Sequence, residues 1–267
     1  MGCPRRRAGS RPVAPRHHLS RADRRPSRRA GPRAGRLRQP VGHVIPPRTP
    51  LRVVGDVHGD AVGFARAADT ERFVIQLGDL TDNGPDSAGA LRIALRLRAE
   101  RRGLFLLGNH DHKLARRLLG REVRTDAALA ATLAQLDPAL QAEALEAIRQ
   151  APAWLRQGTR FFVHGGFHTT MLATPPPAFG TRPTGALARA LFGQTTGRMQ
   201  RDGYPERVLD WIDRIPPGLT VYCGHDMRST DGRPWMRQGA AGGTAVFLDT
   251  GAGKGGHLSW IDLPGEG

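Results

Sequence analysis

Three short apolar runs in the first half of the chain each end at a glycine followed by a carboxylate or carboxamide residue. The runs are Leu51–Gly55, Phe73–Leu77 and Leu104–Leu107, which lead into Asp56, Gly78-Asp79 and Gly108-Asn109. Helices are predicted between the runs, over residues 60–69 and 86–101. Repeated strand, loop and helix units of this length are typical of parallel crossovers. The sequence therefore predicts an α/β chain with a parallel sheet.

The remainder of the chain continues the mixture of helices and strands. Helical spacing of Leu and Ala predicts helices over 111–119 and 125–150, interrupted at Asp137-Pro138. Further helices are predicted over 184–192 and 205–214, after a proline-rich loop at 174–183. Strands are predicted over 160–163, 219–223, 244–248 and 257–263.

Side chains that bind metals cluster where the predicted strands stop. The five segments are Gly55–Asp60, Gly78–Gly84, Gly108–Asp111, His164–Gly166 and Gly224–Asp226. The carboxyl ends of parallel strands form the edge at which ligands bind in open α/β sheets. A mixed set of oxygen and imidazole ligands suits manganese, iron or zinc better than calcium. The absence of thiolates from the set argues against a structural zinc site.

In this order, the five segments resemble the signature of the calcineurin-like metallophosphoesterases: GDxHG, GDxxDxG, GNH(D/E), a lone His before Gly, and GHx. The resemblance covers about residues 51–263. It implies an α/β fold in which a β-sandwich is flanked by helices (α/β/β/α), with a helical insertion around 111–150. The corresponding domain is expected to span residues 51–264.

The resemblance also implies a role for each residue of the site. Its six metal ligands are Asp56 and His58 on a first cation, Asp79 bridging two cations, and Asn109, His164 and His225 on the second. It implies that His110 is the catalytic histidine and that Asp82 orients it. Turn and capping chemistry would explain one or two of these residues, but not three histidines at matched positions.

Two positions depart from the most common patterns of the superfamily. Met227 stands where many phosphodiesterases have the second His of GHxH, which favours the phosphoprotein-phosphatase branch. Asn83 stands where that branch usually has an arginine that binds the substrate phosphate. Asn83 and Lys113 are the predicted substrate-binding residues, and the other candidate cations are Arg182, Arg198, Arg201 and Lys254. Segments 108–118, 191–197 and 248–256 are similar to the phosphatase module of bacterial polynucleotide kinase–phosphatases and to dinucleoside-tetraphosphate hydrolases.

The resemblance implies a hydrolase that uses two divalent metal ions and a metal-activated water. The favoured substrate is a phosphomonoester: a phosphoprotein, a nucleotide or a nucleic-acid end. The alternatives are a phosphodiesterase or dinucleoside-polyphosphate hydrolase and, in a different class, a non-catalytic binding protein with a basic arm.

Most of the positive charge lies in the N-terminal segment. Residues 1–50 contain 14 Arg, nine Pro and one acid, and so carry +13 of the net +16. Such a segment cannot bury enough apolar surface to fold, which predicts a disordered tail. It could be an arm for nucleic acid or an acidic partner, a targeting segment, or a stretch without function; we favour the last. With two cysteines, no CxxC and no secretory or membrane-spanning run, the expected location is the cytoplasm, with no membrane partner.

Overall fold

The strands and helices follow the chain in the alternating order that the sequence predicts. The computed structural model describes Ile45, residues 48–201 and residues 203–266. The strands are β1 (Leu51–Val54), β2 (Phe73–Gln76), β3 (Gly103–Phe105), β4 (Trp154–Gln157), β5 (Arg160–Val163), β6 (Thr195–Met199), β7 (Pro205–Arg207), β8 (Thr220–Cys223), β9 (Trp235–Gln238), β10 (Thr244–Phe247) and β11 (Trp260–Leu263). The helices are α1 (Ala61–Ala68), α2 (Ser87–Ala99), α3 (Asn109–Leu118), α4 (Ala127–Gln135), α5 (Pro138–Gln150) and α6 (Gly185–Phe192), and 3-10 turns cover Thr169–Leu172 and Asp210–Arg214.

Two main sheets are formed by the described residues, and each contains three parallel strands. Sheet I has the order β11-β1-β2-β3, in which β1, β2 and β3 are parallel and β11 is antiparallel to β1. Sheet II has the order β4-β5-β8-β10-β9, in which β5, β8 and β10 are parallel and the two edge strands are antiparallel. The predicted parallel pairing is therefore confirmed.

The sheets pack face to face because their strands alternate between two apolar faces. Val53 of β1 points into a buried cluster that also contains Phe162 and Val246 of sheet II. Its neighbour Val54 belongs to the cluster that holds Phe64 of α1. This period of two buries one side of each strand between the sheets and the other under the helices. The predicted α/β/β/α architecture is confirmed.

Aspartates set the starts of four helices. Asp60, Asp86, Asp126 and Asp137 each accept a hydrogen bond from the backbone N–H three residues further on. This arrangement satisfies a donor that has no partner within the helix. At Asp137 the following residue, Pro138, occupies the first turn of α5, where the missing N–H costs nothing. The predicted interruption of the helical insertion at this dipeptide is confirmed.

The helix predicted over 205–214 is wrong in its first part. Residues 205–207 form β7, which pairs with β6 as an exposed antiparallel ribbon, and only 210–214 turn as a 3-10 helix. Gly203, with a φ of 83°, lies in the turn that joins the ribbon. Strands β4, β6 and β9 were not predicted, since four or five mixed residues at an edge carry little periodic signal.

The predicted tail, residues 1–50, lies almost wholly outside the described residues. Of this segment the structure describes only Ile45 and residues 48–50. Ile45 packs against the cluster between the sheets. The contacts of the domain therefore begin before Leu51, where the sequence placed its boundary. Among the described residues, the helices are too short or too polar to cross a membrane.

Candidate metal centre

The site lies where the parallel strands of both sheets end. Sheet I supplies the turns that follow β1, β2 and β3, and sheet II supplies the turns that follow β5, β8 and β10. The two sets meet at Gly224, where an added Cβ would lie 1.9 Å from Oδ1 of Asp56. The backbone N–H of His225 donates to both oxygens of that carboxylate, at 3.1 and 3.0 Å. A glycine before His225 is therefore required for the two halves of the site to touch.

Asp79 lies at the centre of the cluster. Its Oδ2 is 3.3 Å from Nε2 of His164 and 3.8 Å from Nε2 of His58, and its Oδ1 accepts the backbone N–H of His110 at 2.8 Å. The ligand atoms of Asp79, His58 and His110 lie within 4.8 Å of one another, and so do those of Asp79, His164 and His225. One buried carboxylate is thus shared by two groups of possible metal ligands.

The other two predicted ligands join these groups. Oδ1 of Asn109 lies 3.0 Å from Nε2 of His164, and Oδ2 of Asp56 lies 3.9 Å from Nε2 of His58. The structure therefore brings together all six of the residues predicted to bind metal. The group that contains Asp79 and His58 also includes His110, which the sequence assigned to catalysis.

The histidines are oriented as divalent cations require. Nδ1 of His164 donates to the carbonyl of Leu77 at 3.0 Å, and Nδ1 of His58 donates to the carbonyl of Thr81 at 3.1 Å. These bonds leave Nε2 of each ring directed at the cluster. Nε2 of His225 is buried and has no hydrogen-bond partner among the described residues. Buried imidazole nitrogens of this kind, together with carboxylates, fit divalent transition metals.

The electrostatics of the site also favour bound cations. Burial, reinforced by the charge of Asp249, raises the pKa of Asp56 well above its usual value. Burial opposes the charge on His164, but Asp79 and Asp56 outweigh it and raise the pKa of that ring to about 9. Burial lowers the pKa of His58 to about 4. The site thus holds several buried carboxylates and few positive charges. Bound divalent cations would neutralise this excess negative charge.

His110 and Asp82 form a hydrogen-bonded pair beside the cluster. Nδ1 of His110 donates to Oδ2 of Asp82 at 2.6 Å, and the other oxygen of that carboxylate accepts from Oγ1 of Thr132 on α4 at 2.7 Å. Burial works to lower the pKa of His110, but the carboxylates of Asp79 and Asp82 raise it overall. The helical insertion therefore helps to hold the carboxylate that orients this histidine.

Left-handed backbone is concentrated at the site. Seven described non-glycine residues have positive φ angles. Five of them are His58 (46°), Asp79 (59°), Asp82 (72°), Asn83 (68°) and His225 (65°). Such conformations are uncommon for residues with a Cβ and accumulate at functional sites.

The two predicted substrate-binding residues have different surroundings. Nδ2 of Asn83 lies 3.1 Å from Nδ1 of His58, so Asn83 borders the cluster. Nζ of Lys113 instead donates to Asp126 at 2.7 Å. No contact recorded for the described residues joins Lys113 to the cluster.

The prediction assigned no role to three residues that support the site: Asp249, Asp111 and Thr132. Asp249 is 1% exposed, and its Oδ2 has no hydrogen-bond partner in the described chain. It lies two residues after the end of β10. The signal used for Asp56, a carboxylate at the end of a predicted strand, could therefore have found it. Asp111 accepts the backbone N–H groups of Asp79 and Leu80. Nothing in the sequence marked Thr132, which reaches the site from a helix far along the chain.

Comparison with known proteins yields relatives along most of the chain. The family model for calcineurin-like phosphoesterases matches residues 49–229. The asymmetrical bis(5'-nucleosyl)-tetraphosphatase PrpE of Halalkalibacterium halodurans is 26% identical over 228 residues, which are 79% of this chain and 89% of the relative. The enzyme of the same name from Geobacillus thermodenitrificans is 28% identical over 80% of this chain and 90% of its own.

Solved structures share the fold at lower identity. A putative diadenosine tetraphosphatase superposes with a TM-score of 0.53 at 21% identity, over 82% of this chain and 95% of its own. A serine/threonine phosphatase from Saccharomyces cerevisiae superposes with a TM-score of 0.55 at 13% identity, over 83% and 82%. Family members use divalent metals, as the clustered ligands would allow. With the family model matched over more than half its length, the chain belongs to the calcineurin-like phosphoesterases and is a hydrolase of phosphoester bonds.

Proposed function

We propose that this hydrolase acts on a phosphomonoester with the help of two divalent cations. The observation that carries the proposal is the position of Asp79, whose carboxylate is common to two groups of ligand atoms. A carboxylate with two oxygens can bridge two cations about 3.5–4 Å apart. Manganese, iron and zinc are the metals that suit the mixed set of ligands.

Each cation would have its own ligands in addition to Asp79. Asp56 and His58 would hold the first, and Asn109, His164 and His225 would hold the second. When bound, such cations supply a nucleophilic water at neutral pH and offset the negative charge of the phosphoryl oxygens. Asp111 supports this arrangement, since its carboxylate fixes the backbone on both sides of Asp79.

His110 would protonate the leaving oxygen of the ester. Its side chain is 21% exposed, whereas that of Asp82 is fully buried, so the ring is the member of the pair that substrate can reach. Burial opposes the charge on His110, but Asp79 and Asp82 raise the pKa of the ring overall, which favours the protonated form that this role needs. Asp82 holds Nδ1 and thereby fixes the tautomer and the direction of the ring.

Dinucleoside-polyphosphate hydrolysis is the second candidate function. The support for it is specific, since curated relatives covered over about nine-tenths of their length are named bis(5'-nucleosyl)-tetraphosphatases. Residue chemistry alone does not separate the two substrates, because both present anionic phosphoryl oxygens to the same cluster.

A substrate panel on the full chain tests both candidates. The protein is stripped of metal, reloaded separately with manganese, iron(II) or zinc, and assayed on p-nitrophenyl phosphate, its bis ester and diadenosine tetraphosphate. We expect hydrolysis that chelator abolishes, two bound metals per chain, and the monoester as the better aryl substrate. Full activity in excess chelator would overturn the proposal, and a clear preference for the tetraphosphate would establish the second candidate.

A further inference from the structure

The loop 251–256 lies directly against the turns that carry the site. Ala252 is 1% exposed and anchors the loop in the core. At Gly253, an added Cβ would lie 2.4 Å from the carbonyl oxygen of His58 and 3.0 Å from the amide nitrogen of Gly84. The loop backbone therefore borders both the predicted metal ligand His58 and the turn that contains Asn83.

Lys254 follows this point of contact and is exposed. Gly253 and Gly255, on either side of it, have φ angles of 69° and 87°, which allow the tight turn that presents its side chain. No ion pair or side-chain hydrogen bond of Lys254 is found within the part of the chain that the structure describes. Its four-carbon stem and ammonium group are thus available to a ligand.

The other candidate cations lie in less suitable surroundings. Lys113 is paired with Asp126, and Arg198 on the exposed ribbon is paired with Glu206. Arg182 lies in the loop before α6, and Arg201 lies in the turn of the ribbon. None of these segments is packed against the turns of His58 and Asn83 as the loop of Lys254 is.

The charge of Lys254 acts on the site. Burial lowers the pKa of His58 and of His225, and the ammonium group of Lys254 adds to both effects. Burial raises the pKa of Asp249, and Lys254 opposes that rise.

We propose that Lys254 binds the phosphoryl oxygens of the substrate and thereby supplies the cation that Asn83 does not. The inference rests on the proposed function and assigns to this site a specificity-determining residue. An ammonium group is a point charge on a flexible stem, whereas a guanidinium forms a rigid bidentate pair. Lys254 would therefore accept a phosphoryl group with either one or two substituents.

Substitution of Lys254 tests the inference with inorganic phosphate as the probe. Phosphate binding to the metal-loaded full chain is measured by calorimetry and as competitive inhibition of p-nitrophenyl phosphate hydrolysis. For Lys254→Met we expect phosphate affinity to fall about tenfold or more and KM to rise similarly, as loss of a charged hydrogen bond predicts. Lys254→Arg should recover most of the affinity, and Asn83→Arg should restore it in the Lys254→Met background.

Controls distinguish this inference from the proposed function. Arg149→Met removes a cation from the exposed face of α5 and should change neither phosphate affinity nor KM. Metal content of Lys254→Met should equal that of the wild type. Wild-type phosphate affinity in Lys254→Met, or no phosphate binding by the wild type, would overturn the inference. Wild-type protein that binds phosphate but lacks chelator-sensitive hydrolysis would instead contradict the proposed function.

Discussion

Sheets I and II approach the site from the ends of three parallel strands each, but they bring different chemistry. Sheet I contributes the predicted oxygen ligands Asp56, Asp79 and Asn109, each shortly after a strand, together with the imidazole of His58. Sheet II contributes His164 and His225, with nitrogen ligands, and the carboxylate of Asp249. Sheet I is built from consecutive strand–helix units, whereas the parallel strands of sheet II are separated by α6, the β6–β7 ribbon and β9.

The two sheets also differ in how many contacts their predicted ligands make across the site. Asp79 contacts His164 of sheet II and His58 of its own sheet, and its backbone is held by Asp111. His225 contacts sheet I mainly through its backbone N–H to Asp56. We therefore expect loss of Asp79 to affect both cations and loss of a histidine of sheet II to affect one.

The largest effect should come from Asp79→Ala compared with His225→Ala. Loss of the shared carboxylate should remove both cations and lower kcat/KM on the order of a thousandfold or more, while His225→Ala should retain one cation with a roughly hundredfold loss. Metal content and monoester kinetics measure both. Glu146→Ala, which removes an exposed carboxylate from α5, is the control. Equal metal content in the two site variants would contradict the assigned asymmetry.

Asp82→Asn should have the next largest effect, because the amide no longer holds His110 in one tautomer. We expect kcat to fall roughly tenfold to a hundredfold with phenyl phosphate and less with p-nitrophenyl phosphate, whose leaving group needs no proton. Asp86→Asn is a matched change in the same loop that preserves a helix cap. An identical loss with both esters would exclude proton donation as the role of the pair.

Asn83→Arg, in a turn of sheet I, should raise the activity on the monoester, whereas the preceding substitutions lower it. A guanidinium here would pair with the dianionic phosphate, and we expect a gain of roughly tenfold in kcat/KM for the monoester. The bis ester carries less charge and more bulk, so its hydrolysis should gain less or fall. A monoester rate that fails to rise would favour the diester or polyphosphate substrates.

The smallest effects should come from the N-terminal segment, in which the described residue Ile45 packs against the cluster between the sheets. Removal of residues 1–43 should leave Tm and monoester turnover unchanged. Removal of residues 1–47 also deletes Ile45, whose partly buried side chain contributes about 1 kcal/mol, and should lower Tm by about 2–4 °C. A large drop in Tm with the shorter deletion would show that the tail belongs to the domain.

Sequence reasoning succeeded where residues follow one another at a strand end. The turns after β1, β2 and β3 each carry a glycine beside the predicted ligand, and the structure brings these residues together as their order and spacing predict. It failed at the edges of sheet II, where β4 and β9 are short antiparallel strands with mixed side chains. Thr132 could not be predicted, since its contact with Asp82 depends on how α4 packs. Lys254 was one of several candidate cations until the packing of Gly253 distinguished it.

Because of the left-handed backbone at the site, we expect the supply of metal to affect the lifetime of the protein. Five such residues cost together about 5–10 kcal/mol, which is comparable with the total stability of about 5–15 kcal/mol for a domain. Cations that bind only the folded chain would offset this cost. In a cell short of divalent metal, the protein should therefore be degraded faster. Limited proteolysis with and without chelator measures this, and equal cleavage rates would contradict it.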